Sequence, residues 1–253
     1  MQTALSTVAL SALIPVGTAA LGALVATVRP PGPAVRSGIQ HFAAGVVFSV
    51  VAVELLPDVV RVHDPVEIGW TFAAGVGLML TIQRLGKRAS ADEGEVPHAP
   101  NGGHAAVAAG PRVAQLVGVG VDVLIDGLLV GIAFAAGGAQ GLLLTLALSL
   151  ELLSLGLALA APLAAAGVGR LRTVLVPTAV ACLLPVGAVL GETVLRGASA
   201  HTLAGVLAFG SAALLYLVTE ELLVEAHEGP DTTTATAMFF AGFLLFLLLG
   251  MAA

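Results

Sequence analysis

The stretch "VGVGVDVLIDGLLVGIAFAAG", residues 117–137, is apolar and rich in glycine except for two carboxylates, Asp122 and Asp126. It has the length of about 20 residues that an α-helix needs to cross the hydrocarbon core of a bilayer. The two acids are four residues apart, so they share one face of that helix. Like charges on one face repel, and the pair requires either a cation between its members or a protonated carboxyl. The stretch therefore predicts a membrane-spanning helix that carries a polar interior site.

The rest of the chain has the same character. Of its 253 residues, 58% are hydrophobic and 10% are charged, and the mean hydropathy of +1.02 lies outside the range of soluble domains. The single cysteine, Cys182, allows neither an internal disulfide nor a CxxC metal site. A phosphate-binding GxxxxGK[ST] loop is absent from the sequence, which disfavours direct coupling to ATP. We expect an all-α, polytopic membrane protein.

Hydropathy and the Pro/Gly clusters predict eight helices. They cover residues 2–28, 37–57, 67–85, 112–136, 140–165, 173–195, 200–226 and 232–252. The opening segment has no basic n-region and is too long for a signal sequence, so it is interpreted as the first span. The chain is then one transmembrane domain, residues 1–253, with three helices in 1–85, a polar loop in 86–111, two helices in 112–165 and three in 166–253.

The ten Lys and Arg residues predict the orientation. With the N-terminus outside, the outward connections hold two of them, Arg61 and Arg196. The inward connections hold the other eight: Arg29, Arg36, Arg84, Lys87, Arg88, Arg112, Arg170 and Arg172. Because cytoplasmic loops are enriched in basic residues, both termini are expected outside and the loop 86–111 in the cytoplasm. The expected location is the plasma membrane or bacterial inner membrane.

Two helix ends resemble each other. The second helix ends in "VVAVELLPDVVRVHD", residues 50–64, and the seventh ends in "LVTEELLVEAHEGPD", residues 217–231. On the predicted topology these ends face opposite sides of the membrane. That is the pattern of an inverted repeat, in which helices one to three mirror helices six to eight around a central pair.

Acids inside the bilayer indicate a functional site, because inserting each charged side chain at the bilayer centre costs about 2.5 to 3.5 kcal/mol on insertion scales. The candidates are Glu54, Asp122, Asp126, Glu151, Glu220 and Glu221. Hydroxyls that would complete a coordination shell belong to Ser149, Ser154, Tyr216 and Thr219, although such groups commonly bond their own helix backbone.

Other roles stay open for these groups. Neutral, hydrogen-bonded carboxyls would hold the fourth and fifth helices together. Interfacial anchoring would account for Glu54, Asp58, Glu225, His227 and Glu228 near helix ends. His98 and His104 in the loop fit either a weak, exchangeable metal site or a solvated linker.

Together, these segments resemble the ZIP (Zrt/Irt-like) metal transporters. The resemblance rests on the division of the helices into three, two and three, on the long connection after the third, and on four segments. These are "GVVFSVVAVELLPD", "DGLLVGIAFAAGGAQGLLLTLAL", "PVGAVLG" and "YLVTEELLVEAHE". The family builds a two-metal site from a helix-four motif H-N-x-P-D-G and a helix-five motif H-E-x-P-E-G.

The motifs of this chain depart from that pattern. Asp122 replaces the first histidine, Asp126 and Gly127 keep the family residues, and Glu151 replaces the second histidine. Apolar residues stand at further ligand positions: Val123, Leu152, Leu155 and, before the helix-six proline, Leu184. Ile125 and Ser154 replace the motif prolines, which predicts unbroken helices there. One carboxylate site is expected to survive, with oxygen ligands that suit Mn²⁺, Mg²⁺, Ca²⁺ or Fe²⁺ and still admit zinc.

The resemblance implies a non-enzymatic carrier that imports a divalent cation by alternating access with an elevator-like displacement. The expected metal ligands are Asp122, Asp126, Glu151 and Ser154, with Glu54 and Glu221 along the routes into and out of the site. The metal is cargo, no cofactor or nucleic acid is expected, and the partners are the lipid bilayer and, as an open alternative, a second copy of the chain. Two rivals are a ZIP-derived sensor or structural protein that no longer transports and, less favoured, an intramembrane aspartyl hydrolase.

Overall fold

The computed structural model describes residues 2–61, 64–92, 113–227 and 232–252. Nearly all of these residues are helical, and none lies in a strand. Eight segments, α1 to α8, are long and apolar enough to cross a membrane. Their helical parts are α1 Gln2–Ser11 and Leu13–Val28, α2 Pro33–Val60, α3 Pro65–Asp92, α4 Val113–Ala136, α5 Gly138–Ala165, α6 Arg170–Ala181 and Leu183–Leu195, α7 Ala200–Ala226 and α8 Thr233–Ala252. The prediction of an all-α protein with eight spans is confirmed.

Most predicted boundaries agree with the structure to within four residues. The exception is the end of α3, which continues to Asp92, although residues 86–92 were predicted to belong to the polar loop. That segment contains Lys, Arg and Ala, which favour helix, so the helix continues after the hydropathy signal has ended. His98 and His104 lie outside the described residues.

Local chemistry explains where the helices begin and end. The Asp64 Oδ1 accepts hydrogen bonds from the backbone amides of Val66 and Glu67 and so caps the start of α3. The Ser199 hydroxyl accepts from the Thr202 amide at the start of α7. Gly167, after α5, has a φ of 74°, a left-handed conformation that glycine adopts without a steric penalty.

The helices α1 and α6 are interrupted at matching points. A single non-helical residue, Ala12 in α1 and Cys182 in α6, separates the two halves of each. A proline follows three residues later in both, Pro15 and Pro185. Because proline lacks the amide that would bond the carbonyl four residues before it, the break falls just ahead of it.

The helices α2 and α7 share a different irregularity. Each contains one π-helical segment, Val51–Leu55 in α2 and Val218–Leu222 in α7. Both segments begin with valine, end with leucine and carry glutamate in the fourth position, Glu54 and Glu221. Such π-helical turns are rare and are frequently found at functional sites.

Glycines let four of the helices pack backbone to backbone. On α4, a methyl group added to Gly127 would overlap the Leu184 carbonyl of α6, and one added to Gly187 of α6 would overlap the Leu124 carbonyl. Between α1 and α5, Gly22 and Gly156 make the same kind of close approach to the facing backbone. Small residues drive helix association in lipid, where hydrophobic burial contributes little.

The other four helices form two further pairs. Gly242 of α8 and Gly45 of α2 pack against each other's helix backbone, at Phe42 and Phe239. Gly75 of α3 packs on α7 at Phe209 and Ala212. Each of α2 and α7 thus has a partner among the peripheral helices, while α4 and α5, which carry the deeply placed acids, pack with α6 and α1.

Candidate metal centre

The site lies midway along α4 and α5. Asp122 and Asp126 are on one face of α4, and Glu151 is at the middle of α5. Each of the three carboxylates offers an oxygen that lies within 4.8 Å of the oxygens offered by the other two. Asp126 and Glu151 are buried, with 2% and 5% of their surface exposed, and Asp122 is half-buried. The prediction that the acids of these two helices converge therefore agrees with the geometry.

Two of the carboxylate oxygens lack partners. Asp126 Oδ2 and Glu151 Oε2 are buried, and within the described part of the chain no group donates a hydrogen bond to either. Two of the described arginines pair with other acids, Arg61 with Asp58 and Arg196 with Glu192. Buried acceptors without donors are costly, and buried charges without counter-charges are more so. The cluster therefore requires either a cation from beyond the described side chains or a protonated carboxyl.

A cavity of about 60 Å³ adjoins the cluster, which is room for an ion and a few water molecules. Its wall includes the three acids together with Ser154 and, from α7, Leu217, Glu221 and Leu222. The remaining lining is apolar and comes from Val123, Leu152 and Leu155. These are the positions at which the family motifs would carry further ligands. The cavity lining thus combines carboxylates with hydrocarbon side chains.

Leu184 occupies the position before the α6 proline, where the family often places a glutamate. Its side chain is fully buried, and its backbone lies in the close α4–α6 contact at Gly127. It does not line the cavity. Leu184 therefore offers no ligand atom to the cavity.

Of the two glutamates expected on the routes, the structure brings one to the site. Glu221 lines the cavity. Glu54 does not, because its carboxylate lies against Gly250 near the end of α8, in the space that a side chain at that position would fill. Glu220, next to Glu221, is exposed and lies outside the cavity lining.

Of the four candidate hydroxyl groups, one lies at the cavity and three do not. Ser154 lines the cavity. Ser149 donates to the Thr145 carbonyl at 2.7 Å, and Thr219 donates to the Leu215 carbonyl at 2.9 Å, so both bond their own helix. Tyr216 is buried and packs with Met79. The helices α4 and α5 run unbroken past Ile125 and Ser154, as the missing prolines predict.

A second acidic group was not predicted from the sequence. Asp64, which caps α3, and Glu67 of α3 meet His201 of α7, with ligand atoms within 4.8 Å of one another. Asp64 is occupied in capping α3, and Glu67 pairs with His201 at 3.6 Å. These partners account for the cluster structurally, and no sequence motif marks it, because its members are far apart in the chain.

The fold and the site define a class of protein: a multi-pass membrane protein with a cluster of three carboxylates in its interior. The sequence model of the family described as ZIP zinc transporter matches residues 91–250, more than half of the chain. The zinc transporter GufA of Myxococcus xanthus is 37% identical to the chain over 127 residues, a match that covers 50% of this chain and 50% of that protein. The chain thus spans about half the length of this curated relative.

The chain belongs to the ZIP family of metal transporters.

Proposed function

We propose that this ZIP family member carries a divalent cation across the membrane through one site, formed by Asp122, Asp126 and Glu151. The observation that carries the proposal is the pair of buried, unpartnered oxygens on Asp126 and Glu151 beside a cavity of ionic size. Three carboxylates within ligand distance of one another form a cage that a dication would neutralise. Glu221 and Ser154 are additional ligands or ligands through water.

The ligand chemistry bears on which ion is carried. All the charged ligands are carboxylates, and the cavity lining contains neither histidine nor cysteine. Oxygen donors suit Mn²⁺, Fe²⁺ and Mg²⁺, whereas imidazole would strengthen zinc binding. The relative from Myxococcus xanthus is named as a zinc transporter, and we include zinc among the substrates.

The mechanism we propose is alternating access between two groups of helices. The paired contacts α1–α5 and α4–α6 make a group that holds the ion, and α2–α8 and α3–α7 make a surrounding group. The matching breaks in α1 and α6 and the matching π-helical turns in α2 and α7 support an inverted repeat of three helices. Import toward the cytoplasm, an elevator-like displacement and assembly as a homodimer in the plasma membrane are parts of this proposal.

Uptake by proteoliposomes tests the function. Purified protein is reconstituted with an ion-sensitive dye inside, and Mn²⁺, Zn²⁺, Fe²⁺ and Mg²⁺ are added outside in separate assays. We expect uptake of at least one of these ions, and its loss in the double variant D126N/E151Q. Glu220→Gln is the matched control, because it removes a neighbouring charge that does not line the cavity. If folded wild-type protein takes up none of the ions, the proposal fails.

One alternative has an observation in its favour. The family's second-metal positions hold Val123, Leu152 and Leu184, so a protein that senses metal without transporting it fits the reduced site. Calorimetry separates the two. A sensor binds metal to the cluster but gives no uptake, and a structural protein gives neither.

A further inference from the structure

The glutamates of the two π-helical turns differ in their surroundings. Glu221 faces the cavity beside Asp122, Asp126 and Glu151. Glu54 holds the same position in the sequence pattern of α2, yet its carboxylate lies against Gly250 of α8. A Cβ at Gly250 would meet the Glu54 carboxylate, so the glycine leaves open the space in which that carboxylate lies. One member of the pair thus lines the cavity and the other lies away from it.

The two glutamates also lie at different depths. The start of α2 meets the end of α7, because the Ser37 hydroxyl donates to the Ala226 carbonyl at 2.8 Å and the His41 and His227 rings lie 4.9 Å apart. The two helices therefore run in opposite directions. With a rise of about 1.5 Å per residue, Glu221 lies roughly 9 Å from that common level and Glu54 roughly 20 Å.

The two glutamates therefore lie towards opposite ends of the bundle. Glu221 is nearer to the end at which α7 finishes, and Glu54 is nearer to the end at which α8 finishes. A carrier must expose its ion to both ends in turn, which moves the acids of α4 and α5 relative to α2 and α7. A shift of roughly 10 Å along the bundle, the difference in depth, would bring the cluster from the level of Glu221 to the level of Glu54.

We propose that Glu54 is a metal contact in the opposite end state and there takes the place that Glu221 has in this one. The inference rests on the proposed function, since it assumes that the cluster carries an ion. It adds that the ion contacts Glu221 in one end state and Glu54 in the other. The three carboxylates of the cluster are then joined by a fourth carboxylate in both end states. In the state described here, the Glu54 carboxylate does not contact the ion and lies against Gly250 instead.

Thiol cross-linking tests the contact without relying on uptake. In a Cys182→Ser background, Leu155→Cys on the cavity wall is combined with Glu221→Cys or with Glu54→Cys, and a short bifunctional thiol reagent is added to protein in liposomes. We expect both pairs to form an intramolecular product. Leu155→Cys with Val60→Cys is the control pair, because Val60 is exposed on the outer face of α2, and no product is expected from it.

The outcomes separate the inference from the function on which it rests. Absence of the Leu155–Glu54 product, while the Leu155–Glu221 product forms, overturns the exchange of glutamates and leaves the carrier proposal standing. Product from the control pair at a similar yield also overturns it, because the reagent would then report no specific contact. Absence of metal uptake by the wild-type chain overturns the carrier proposal by itself.

A transport measurement on single variants gives a second test. Glu54→Gln should lower the uptake rate by about tenfold, a loss typical of removing a group that supports a metal site. Its equilibrium affinity for Mn²⁺ in detergent should stay within about twofold of wild type, because Glu54 lies away from the cavity in this state. Asp58→Asn, one turn farther along α2, is the control and should change neither. Unchanged uptake in Glu54→Gln contradicts the inference.

Discussion

At the scale of single residues, the site is defined by what its carboxylates lack. Asp126 and Glu151 are buried against Asp122 with oxygens that no described donor reaches. A structural carboxyl that holds helices together would be expected to find a hydroxyl or amide across the interface. Here oxygens of the three acids lie within 4.8 Å of one another, and the acids line a cavity. We interpret this pattern as a metal-binding site, and that interpretation predicts opposite effects of a substitution on stability with and without metal.

Asp126→Asn should raise the thermal stability of the metal-free protein while it weakens metal binding. Asparagine is nearly isosteric and removes one charge from a crowded, buried group, which relieves repulsion when no cation is present. Affinity for Mn²⁺ should fall at least about tenfold, equivalent to about 1.4 kcal/mol. Melting curves with and without metal give both quantities, because a ligand stabilises the state that binds it. If the metal-free variant melts at a lower temperature than the wild type, the carboxyl is holding helices together.

Asp122→His should change which ion the site prefers. The substitution restores the imidazole that the family motif carries at this position, and imidazole favours zinc over manganese more strongly than a carboxylate does. We expect the ratio of zinc to manganese affinity to rise by roughly tenfold, as measured by competition calorimetry. Asp58→His places the same group outside the cavity and should leave the ratio unchanged. An unchanged ratio in Asp122→His would mean that Asp122 is not a ligand.

At the scale of helices, close packing at glycine positions the site. The acids of α4 stand where they do because α4 lies directly on α6, with the backbones in contact at Gly127 and Gly187. The packing of α5 on α1 through Gly156 and Gly22 fixes Glu151 in the same way. The two helices that carry the acids, α4 and α5, are thus held by backbone contact with α6 and α1, which leaves little room for side-chain adjustment.

Gly127→Ala should destabilise the protein and disturb the site. The added methyl group would overlap the Leu184 carbonyl, which is backbone and cannot rotate away. Overpacking of this kind costs typically about 1 to 3 kcal/mol. Gly118→Ala on the same helix is the matched control, because its methyl group meets nothing within 4 Å. Equal unfolding free energies for the two variants in detergent would show that the α4–α6 contact is looser than described.

At the scale of the whole molecule, two properties follow from how the helices are arranged. The pairings α1–α5 with α4–α6, and α2–α8 with α3–α7, fit the inverted repeat that we propose for the first three and the last three helices. The distribution of basic residues predicts the direction of the bundle in the membrane. The first property bears on the mechanism, and the second predicts which end faces the cytoplasm.

Labelling of single cysteines checks the predicted orientation. In a Cys182→Ser background, Arg61→Cys and Ala200→Cys should react with a membrane-impermeant maleimide added to intact spheroplasts. Arg29→Cys and Arg170→Cys should react only after the cells are broken, because basic connections stay in the cytoplasm. All four wild-type positions are exposed, so burial does not limit the reaction. The reverse pattern would invert the assigned topology.

Hydropathy was sufficient to locate the spans, and charge was sufficient to point to the acids. A helix that crosses a bilayer satisfies its own backbone hydrogen bonds and needs only local length and apolarity, so all eight are visible along the chain. The end of α3 was placed seven residues early because a helix outside the bilayer leaves no hydropathy signal. The acids of α4 and α5 stood out because charge in an apolar run is costly wherever it occurs.

What the sequence alone determined was the number of spans, the class of the protein and the set of acids that need an explanation. Only the tertiary structure decided which acids meet, since Glu151 joins Asp122 and Asp126 through contacts among helices far apart in the chain. It also separated Glu221 from Glu54, which look alike in sequence but lie at different depths and against different helices. Which acids meet depends on how the helices pack, and which glutamate lies at the site depends on the end of the bundle to which the acids of α4 and α5 are nearer. Neither property can be read from a single span.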